Sequence, residues 1–518
     1  MLRKIIPLCI LSAVMLALPF YSSIFSFLSW FAFVPVFFAL KNTSKRLAFL
    51  ILFVTGVIYW SGVIYWLAHV TLAGTIVLIL YLALYFAAFG LIIRRFTRNS
   101  TIFSLLFIPS VWVLLEYTRS YLLTGFPWAL LGYSQYLNLP VIQLADITGV
   151  WGVSYLLVLV NVAMVEIIWA AREGMRSRLR SVIIILVSVL IAVFSYGYFK
   201  IYNLRPIVYD LPLKVSVIQG NIPQELKWDE RAMGSIVNKY SRMTEEAAKE
   251  KPDLIVWPEA ASPGLFGQDD DVFDSFYALA KRIKVPILLG AVSRSKDIFF
   301  NSALLVDQNG QIFGRYDKLH LVPFGEYIPL KKYLPFLETV VPIGDIEKGR
   351  SYTVFKLPVT SYQLPVTFSV LICFEDLFPE LSREFTKRGA GFLVNITNDA
   401  WYKLTAAPYQ HLQASVFRAV ENRRFLVRSA NTGVSGFIAP SGKIISLAGD
   451  GSGKHIFVDG IDTQTIGVFS VRPGIYTRYG DWFVSVCLIF VLYGLMRRLR
   501  SIPTAKSPDS HIRRDGRG

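Results

Sequence analysis

Charge is scarce in this chain, and so are the residues that bind metals or form disulfides. Only 17% of its 518 residues are Asp, Glu, Lys or Arg, 54% are hydrophobic, and the mean hydropathy is +0.47. An ordinary soluble domain is about a quarter charged, so this composition excludes a single water-soluble globule. Three cysteines, Cys9, Cys373 and Cys487, lie far apart, which excludes a disulfide framework and a Cys-x-x-Cys metal knuckle. Cys9 and Cys487 fall inside apolar runs, where a free thiol acts as a small hydrophobe. Five scattered histidines lack ligand spacing, so no metal is predicted.

Acids are the scarcer charge, and the resulting net +17 has a location. Nearly all of it comes from Arg3-Lys4, Lys41, Lys45 and Arg46, from Arg94, Arg95 and Arg98, from Arg172, Arg176, Arg178 and Arg180, and from the Arg497–Arg517 tail. These groups fall on alternate loops or on the termini, as expected of a membrane protein whose cytoplasmic loops are basic. The basicity therefore reports topology, and no nucleic-acid partner is predicted.

Apolar runs of bilayer-spanning length lie at about 5–22, 24–40, 47–68, 72–93, 101–118, 150–170 and 181–199, with an eighth at about 481–496. The first is read as a retained span, because no small-x-small cleavage site precedes the next one. An even count puts both termini in the cytoplasm and the intervening 200–480 domain outside. The predicted organisation is a membrane domain at 1–199 with a re-entrant or interfacial loop near 119–149, an outer domain at 200–480, a last span at 481–497, and a basic tail at 498–518. The tail is expected to be disordered after Arg500, being rich in Ser, Pro and Arg. Trp128, Tyr133, Tyr136 and Trp151, in and beside the loop, suit the headgroup level. They read either as an aromatic belt or as a surface leading lipid towards the outer domain.

From Leu213 onward short apolar strands alternate with charged helices, which argues for packed α/β layers. Strands are predicted at Lys214–Gln219, Leu254–Trp257, Pro286–Ala291, Ala303–Val306, Ile312–Tyr316, Phe368–Ile372 and Phe392–Ile396. Helices are predicted at 231–250, 272–283 and 408–424. Asn309-Gly310 signals a hairpin, and Ser441-Gly442 a second turn between Phe437–Ala439 and Ile444–Ser446.

The run Phe368–Ile372 ends abruptly in Cys373-Phe374-Glu375-Asp376. A thiol is a weak nucleophile until a base or a nearby cation activates it. Two segments upstream supply both kinds of helper: Trp257-Pro258-Glu259 at a strand end, and Lys318 just after the hairpin. Taken singly, Glu259 reads as a solvated cap, Lys318 as a surface lysine and Cys373 as a buried structural cysteine. Together they form a base, a cation and a nucleophile, each at a strand exit.

This ordered set resembles the Glu-Lys-Cys triad of the nitrilase (carbon–nitrogen hydrolase) superfamily. Over nearly its full length the chain resembles the apolipoprotein N-acyltransferase family, in which such a domain lies between the last two of eight membrane spans. The resemblance rests on Gln219-Gly220-Asn221-Ile222-Pro223 with Trp228, Trp257-Pro258-Glu259, Lys318-Leu319-His320-Leu321-Val322-Pro323-Phe324-Gly325-Glu326, Cys373-Phe374-Glu375, and Thr397-Asn398-Asp399-Ala400-Trp401. Phe374 stands where the family often has Tyr, and Tyr402-Lys403 where an aromatic-Gly pair is usual. The resemblance implies an α-β-β-α sandwich beside the helical bundle, with Glu259 as general base, Cys373 as nucleophile and Lys318 stabilising the oxyanion. Glu326 and Glu375 are expected to hold Lys318 and the backbone near Cys373. Trp228, Phe374 and Trp401 are expected to contact substrate, and Trp128 and Trp228 to wall the thioester off from water. The implied reaction takes an acyl chain from a phospholipid and gives it to a diacylated apolipoprotein in a bacterial inner membrane, with no cofactor. Two rivals remain at this stage. One is a membrane-tethered amidase that uses water. The other is a transporter built around Glu116 and Glu166, acids that would otherwise bond locally near span ends.

Overall fold

Residues 2–41, 43–94, 101–204, 211–328, 346–357, 366–468 and 473–499 are described by a computed structural model. Arg95, Arg98 and the tail from residue 500 lie outside them. Among the described residues, five helices are long and apolar enough to cross a membrane: Lys45–Val63, Leu72–Ile93, Ile102–Thr124, Val150–Arg172 and Arg176–Tyr202. Shorter apolar helical stretches occupy Ile5–Phe20, Ser23–Ala39, Leu139–Thr148 and Trp482–Met496.

The span expected at 24–40 is not one helix. A 3-10 segment, Ser23–Trp30, breaks before the α-helix Val34–Ala39, which has Pro35 in its first turn. Proline lacks an N–H and suits a helix start, and backbone groups released in apolar surroundings need partners. They find them on neighbouring helices. Phe33 N donates to Asn161 Oδ1 (2.8 Å), Val36 N to Ser12 Oγ (3.0 Å), and Asn161 Nδ2 to Ser29 O (3.0 Å). Glu116 and Glu166 also bond locally. Glu116 Oε1 accepts from Leu131 N (2.7 Å), and Glu166 Oε2 accepts from Arg178 Nε (3.0 Å).

The segment between the fifth and sixth expected spans folds into short helical turns at Leu131–Gln135, Leu139–Ile142 and Ala145–Thr148. Trp128, Tyr133 and Trp151 are buried, which corrects the aromatic-belt reading for these three rings. The two indole N–H groups are taken up by residues far along the chain, in the α/β half and at the start of the last span. Trp128 Nε1 donates to Gln410 Oε1 (2.8 Å) and Trp151 Nε1 to Asp481 Oδ1 (2.8 Å).

Twelve described strands form two six-stranded sheets. The first has the order β12-β1-β2-β3-β4-β5, made of Gly460–Val468, Leu211–Gln219, Leu254–Val256, Ile287–Ser295, Ile298–Val306 and Ile312–Asp317. The second has the order β11-β10-β9-β8-β7-β6, made of Ile444–Leu447, Gly436–Ile438, Leu426–Ala430, Phe392–Thr397, Val366–Ile372 and Phe355–Leu357. In each sheet the inner strands pair in parallel (β1-β2-β3 and β7-β8-β9) and the outer ones antiparallel.

Side-chain alternation sorts the first sheet into two apolar layers. Val215, Val217, Leu254, Val256, Leu288, Ala303 and Leu305 join the core shared with the second sheet. Ile218, Ile255, Trp257, Ile287, Leu289, Leu304 and Val306 pack under the helices Glu230–Ala248 and Asp270–Ile283. Pro379–Lys387 and Ala407–Asn422 cover the second sheet, which completes an α-β-β-α sandwich. Ser429 Oγ of β9 ties the sheets together, lying 3.0 Å from Ile218 O and 3.2 Å from Val256 O.

Trp257 anchors the outer layer next to the site. It stacks on Tyr240 (4.8 Å), meets Phe276 edge-on (4.9 Å), and donates from Nε1 to Thr244 Oγ1 (3.0 Å). Trp257→Ala is expected to cost about 3–5 kcal/mol through the cavity it leaves, read as a fall in Tm of the full-length protein in detergent. Trp257→Phe keeps the ring packing and should cost much less.

Candidate active site

The carboxyl ends of parallel strands are where α/β folds open their crevices, and the expected triad converges there. β7 ends at Ile372 and hands the chain to Cys373, and β5 ends one residue before Lys318. β2 ends three residues before Glu259, and β8 two before Asp399. Lys318 Nζ lies 3.5 Å from Glu259 Oε1 and 3.0 Å from Glu326 Oε1. The Cys373 thiol faces the charges of Glu259, Lys318 and Asp399 and meets the Thr397 hydroxyl. Glu259, Lys318, Cys373 and Glu326 are all buried.

Backbone strain marks the two reactive ends. Cys373 has φ +53° and Ala260, just after Glu259, has φ +45°. Non-glycine residues rarely occupy that region unless their surroundings enforce it. At Cys373 the enforcement comes from Asn395 Nδ2, which donates to Leu371 O (3.1 Å) and Cys373 O (3.2 Å). At Glu259 it comes from β3. Gly290 N donates to Pro258 O (3.2 Å), and Ala261 N donates to Gly290 O (2.9 Å). A Cβ at Gly290 would stand 2.5 Å from Pro258 O and 2.6 Å from Glu259 Cα, so only glycine lets this turn lie so close.

Glu375 is the hub of the second layer. Its Oε1 accepts from Leu319 N (2.6 Å) and His320 N (3.0 Å), its Oε2 from Ile372 N (2.7 Å), and both oxygens from Tyr316 OH (2.8 and 2.9 Å). One carboxylate thus pins the Lys318 segment to the residue before Cys373. Glu326 does the same on the other side, accepting from Lys318 Nζ, from Asn301 Nδ2 (2.7 Å) and from Val322 N (2.8 Å). Asn301 Nδ2 also donates to Glu259 Oε1 (2.7 Å), so the amide bridges the two acids.

Burial alone would make Lys318 easier to deprotonate, but Glu326 and Glu259 push it well above the usual lysine range. The ammonium is permanent. Burial pushes the Cys373 thiol well up, Glu259 adds to this, and Lys318 only partly opposes it. A neighbouring ammonium was expected to favour thiolate. Here desolvation and the carboxylate outweigh it, so the sulfur rests as a thiol. Burial also raises Glu375 to about 7, against its hydrogen-bond donors and Lys318.

Behind the thiol lies a buried ionic cluster. His411 Nε2 meets Asp376 Oδ1 (2.8 Å), His411 Nδ1 meets Asp399 Oδ1 (3.0 Å), and Arg428 reaches both aspartates (3.1 and 3.3 Å). Burial would lower His411, but the two carboxylates raise it to about 9, and it sits there as an imidazolium. Next in sequence, Gln410 Oε1 accepts from the indoles of Trp66 (3.0 Å) and Trp128 (2.8 Å). Tyr402 packs against Trp66 (ring centroids 4.5 Å apart) and faces Cys373. The site therefore lies against the membrane half.

The expected aromatic contacts divide. Trp128 joins this wall. Trp228 and Trp401 are 51% and 53% exposed and stay outside the buried cluster. Phe374 is buried against Phe378 (5.3 Å) and His320 (6.2 Å). Sequence reasoning passed over Lys227, Asn301, His411 and Arg428. Lys227 adjoins the flagged Trp228, but an interior Asn or Arg on a strand carries no signal of its own. Among the described residues, no three His, Cys, Asp or Glu side chains are placed to hold a metal ion.

Residues 12–163 match the family model described as the apolipoprotein N-acyltransferase N-terminal domain, and residues 214–469 match that of carbon-nitrogen hydrolases. The apolipoprotein N-acyltransferase of Geobacter metallireducens is 40% identical over 500 residues, covering 93% of this chain and 92% of that protein. That of Methylococcus capsulatus is 33% identical over 437 residues (82% and 81%), and that of Rickettsia typhi 30% over 415 (79% and 79%). The chain belongs to the apolipoprotein N-acyltransferase family. The hydrolase match of this family member runs from β1 to β12 and so takes in both sheets and every triad residue.

Two substitutions test the scaffold of the site. Gly290→Ala should push the Glu259 turn off β3 and lower the reactivity of Cys373 far more than it lowers Tm. Glu375→Gln sets an NH₂ group against N–H donors, an expected loss of about 1–3 kcal/mol for each group left unpaired. Tyr316→Phe should do less damage, because the three backbone donors remain. Thermal unfolding together with alkylation rates at Cys373 checks both.

Proposed function

We propose that this protein is an acyltransferase that N-acylates lipoproteins, taking an acyl chain from a phospholipid onto Cys373 and passing it to the α-amine of a diacylglyceryl-cysteine. The observation that carries the reading is a buried thiol, with its own base and a permanent cation, set against the membrane half of a chain in this family. In the first step Sγ attacks the ester carbonyl while Glu259 takes the thiol proton. The C–O bond breaks, the proton goes to the departing alkoxide, and a lysophospholipid leaves. In the second step the acceptor nitrogen attacks the thioester carbonyl, the C–S bond breaks, and a proton passes from nitrogen through Glu259 to sulfur. Lys318 faces the negative charge that develops in both steps, and a preorganised cation in a water-poor site lowers such barriers strongly. A thioester keeps the acyl group reactive, so the chemistry calls for no energy-carrying cofactor.

The same reading puts the chain in a bacterial inner membrane with eight crossings, the three shorter apolar stretches at 5–20, 23–39 and 482–496 included. It places the sandwich outside and the loops at 41–46, 94–100 and 171–180 in the cytoplasm. Impermeant thiol labelling of cysteines introduced one at a time tests this. Labelling of 171–180 in intact cells would reverse the orientation.

Mass spectrometry of the purified protein after incubation with phospholipid should find an acyl-sized addition on the Cys373 peptide. A diacylated lipopeptide should then discharge it. Cys373→Ala should form no adduct, and Glu259→Gln and Lys318→Ala should each slow it by about 100-fold or more. Rapid release of free fatty acid without acceptor, unaffected by lipopeptide, would instead identify a hydrolase of the amidase type.

A further inference from the structure

Lys227 lies just past the turn Gln224–Leu226 and is 4% exposed. Its Nζ donates to the carbonyl oxygens of Glu259 (3.1 Å) and Ala260 (3.0 Å). Among the described residues it forms no ion pair. A buried ammonium held only by two carbonyls is costly, and such groups gather where chemistry needs them. We propose that Lys227 is a positioning residue for the general base, clamping the turn that carries Glu259 and setting a second positive charge beside it while it takes the Cys373 proton. The inference rests on the reading of Glu259 and Cys373 as base and nucleophile.

Three observations support it. The clamped carbonyls belong to the base itself and to Ala260, whose φ of +45° needs external restraint. The opposite side of the same turn rests on Gly290, so the turn is gripped from both sides. Glu259 and Glu326 also set two carboxylates against one Lys318, and a second cation beside Glu259 eases their mutual repulsion. Within its own segment, Glu225 and Asp229 flank Lys227 in sequence, and Asp229 is paired with Arg231 (2.8 Å). From the packed elements Glu259 and Cys373 face it, with Lys318 and Glu326 beyond Glu259. Burial brings Lys227 down to about 8, the two facing groups partly resisting. The clamp is therefore charged at neutral pH and weakens as pH rises through about 8.

The test uses the full-length protein in detergent with two readouts, the single-turnover rate of acyl-enzyme formation from labelled phospholipid and the rate of iodoacetamide alkylation of the Cys373 peptide. Wild-type acylation should decline above pH of about 8, and Lys227→Arg should move that decline to higher pH while keeping most of the neutral rate. Lys227→Gln keeps hydrogen-bond donors without charge and should slow both readouts at neutral pH by about tenfold or more. If Lys227→Gln fails to fold, the arginine variant and the wild-type profile still decide. Wild-type rates in Lys227→Gln, or an unmoved decline in Lys227→Arg, would overturn the proposal. Slowed alkylation in Lys227→Gln, with no acyl-enzyme in the wild type, would strike the phospholipid reading and leave this one standing.

Discussion

An ammonium buried as deeply as that of Lys318 has to be neutralised where it stands, and much of the site follows from that requirement. Removing one partner from such a buried ionic set typically costs about 3–5 kcal/mol, because it strands a charge. Glu259 and Glu326 both approach Nζ, and Asn301 spaces the two carboxylates that would otherwise repel. Glu375 is drawn in through Leu319 N as the anchor of the backbone just after Lys318, and through Ile372 N it extends the constraint to Cys373. The triad is thus three members of a larger set in which each position defines the next. That arrangement suits catalysis, where a misplacement of an ångström can cost orders of magnitude.

The seam between the two halves uses polar groups in the same way. From Gln410 to Asn422 every residue of the helix Ala407–Asn422 is buried, with the second sheet on one side and the membrane half on the other. Glu421 Oε1 accepts from Val150 N (2.9 Å), capping the N-terminus of the membrane helix Val150–Arg172. Helix starts present orphan N–H groups and positive potential, so a carboxylate is a fitting partner there. Arg423 Nη2 pairs with Asp146 Oδ2 (2.7 Å), and its Nη1 donates to Gln143 Oε1 (2.6 Å). Directional bonds of this kind fix register as well as contact. The strand ends bearing Cys373 and Glu259 are therefore held at a set place relative to the bundle.

How far the sequence disclosed this depended on whether a residue's role is local. Strands such as Phe392–Thr397 and the Asn309-Gly310 hairpin follow from short-range patterns, and the structure has them. β9 was missed because Arg428 and Ser429 break its apolar run, although both are buried, one in an ion cluster and the other bridging the sheets. β12 was missed because a polar outer strand such as Gly460–Val468 lacks an apolar run and is recognised only by its pairing with β1. The broken second span depended on Asn161 and Ser12, residues on other helices. Lys227 and Asn301 act through partners 25 to 42 positions away in sequence, which no local pattern reveals. That Glu259, Lys318 and Cys373 come together was legible only because each sits at a strand end within an ordered set of motifs.

The burial that holds Cys373 as a thiol also bears on the choice between an amine and water as acceptor. Trp66, Trp128 and Tyr402 pack in tilted and edge-on contacts beside the site, and Trp128 lies over His411 at 5.5 Å between centroids. The indole N–H groups of both tryptophans are turned onto Gln410, leaving ring surface rather than hydrogen-bond donors for other contacts. Such a wall offers water little to bind and offers an acyl chain an apolar surface. On the acyl-transfer reading, a thioester formed behind it is protected by low water activity. An acceptor confined to the same membrane arrives at high effective concentration. The two effects act on opposite sides of one competition. On that reading exclusion lowers the rate of hydrolysis and membrane confinement raises that of aminolysis, so the position in which the bundle holds the site favours transfer over hydrolysis.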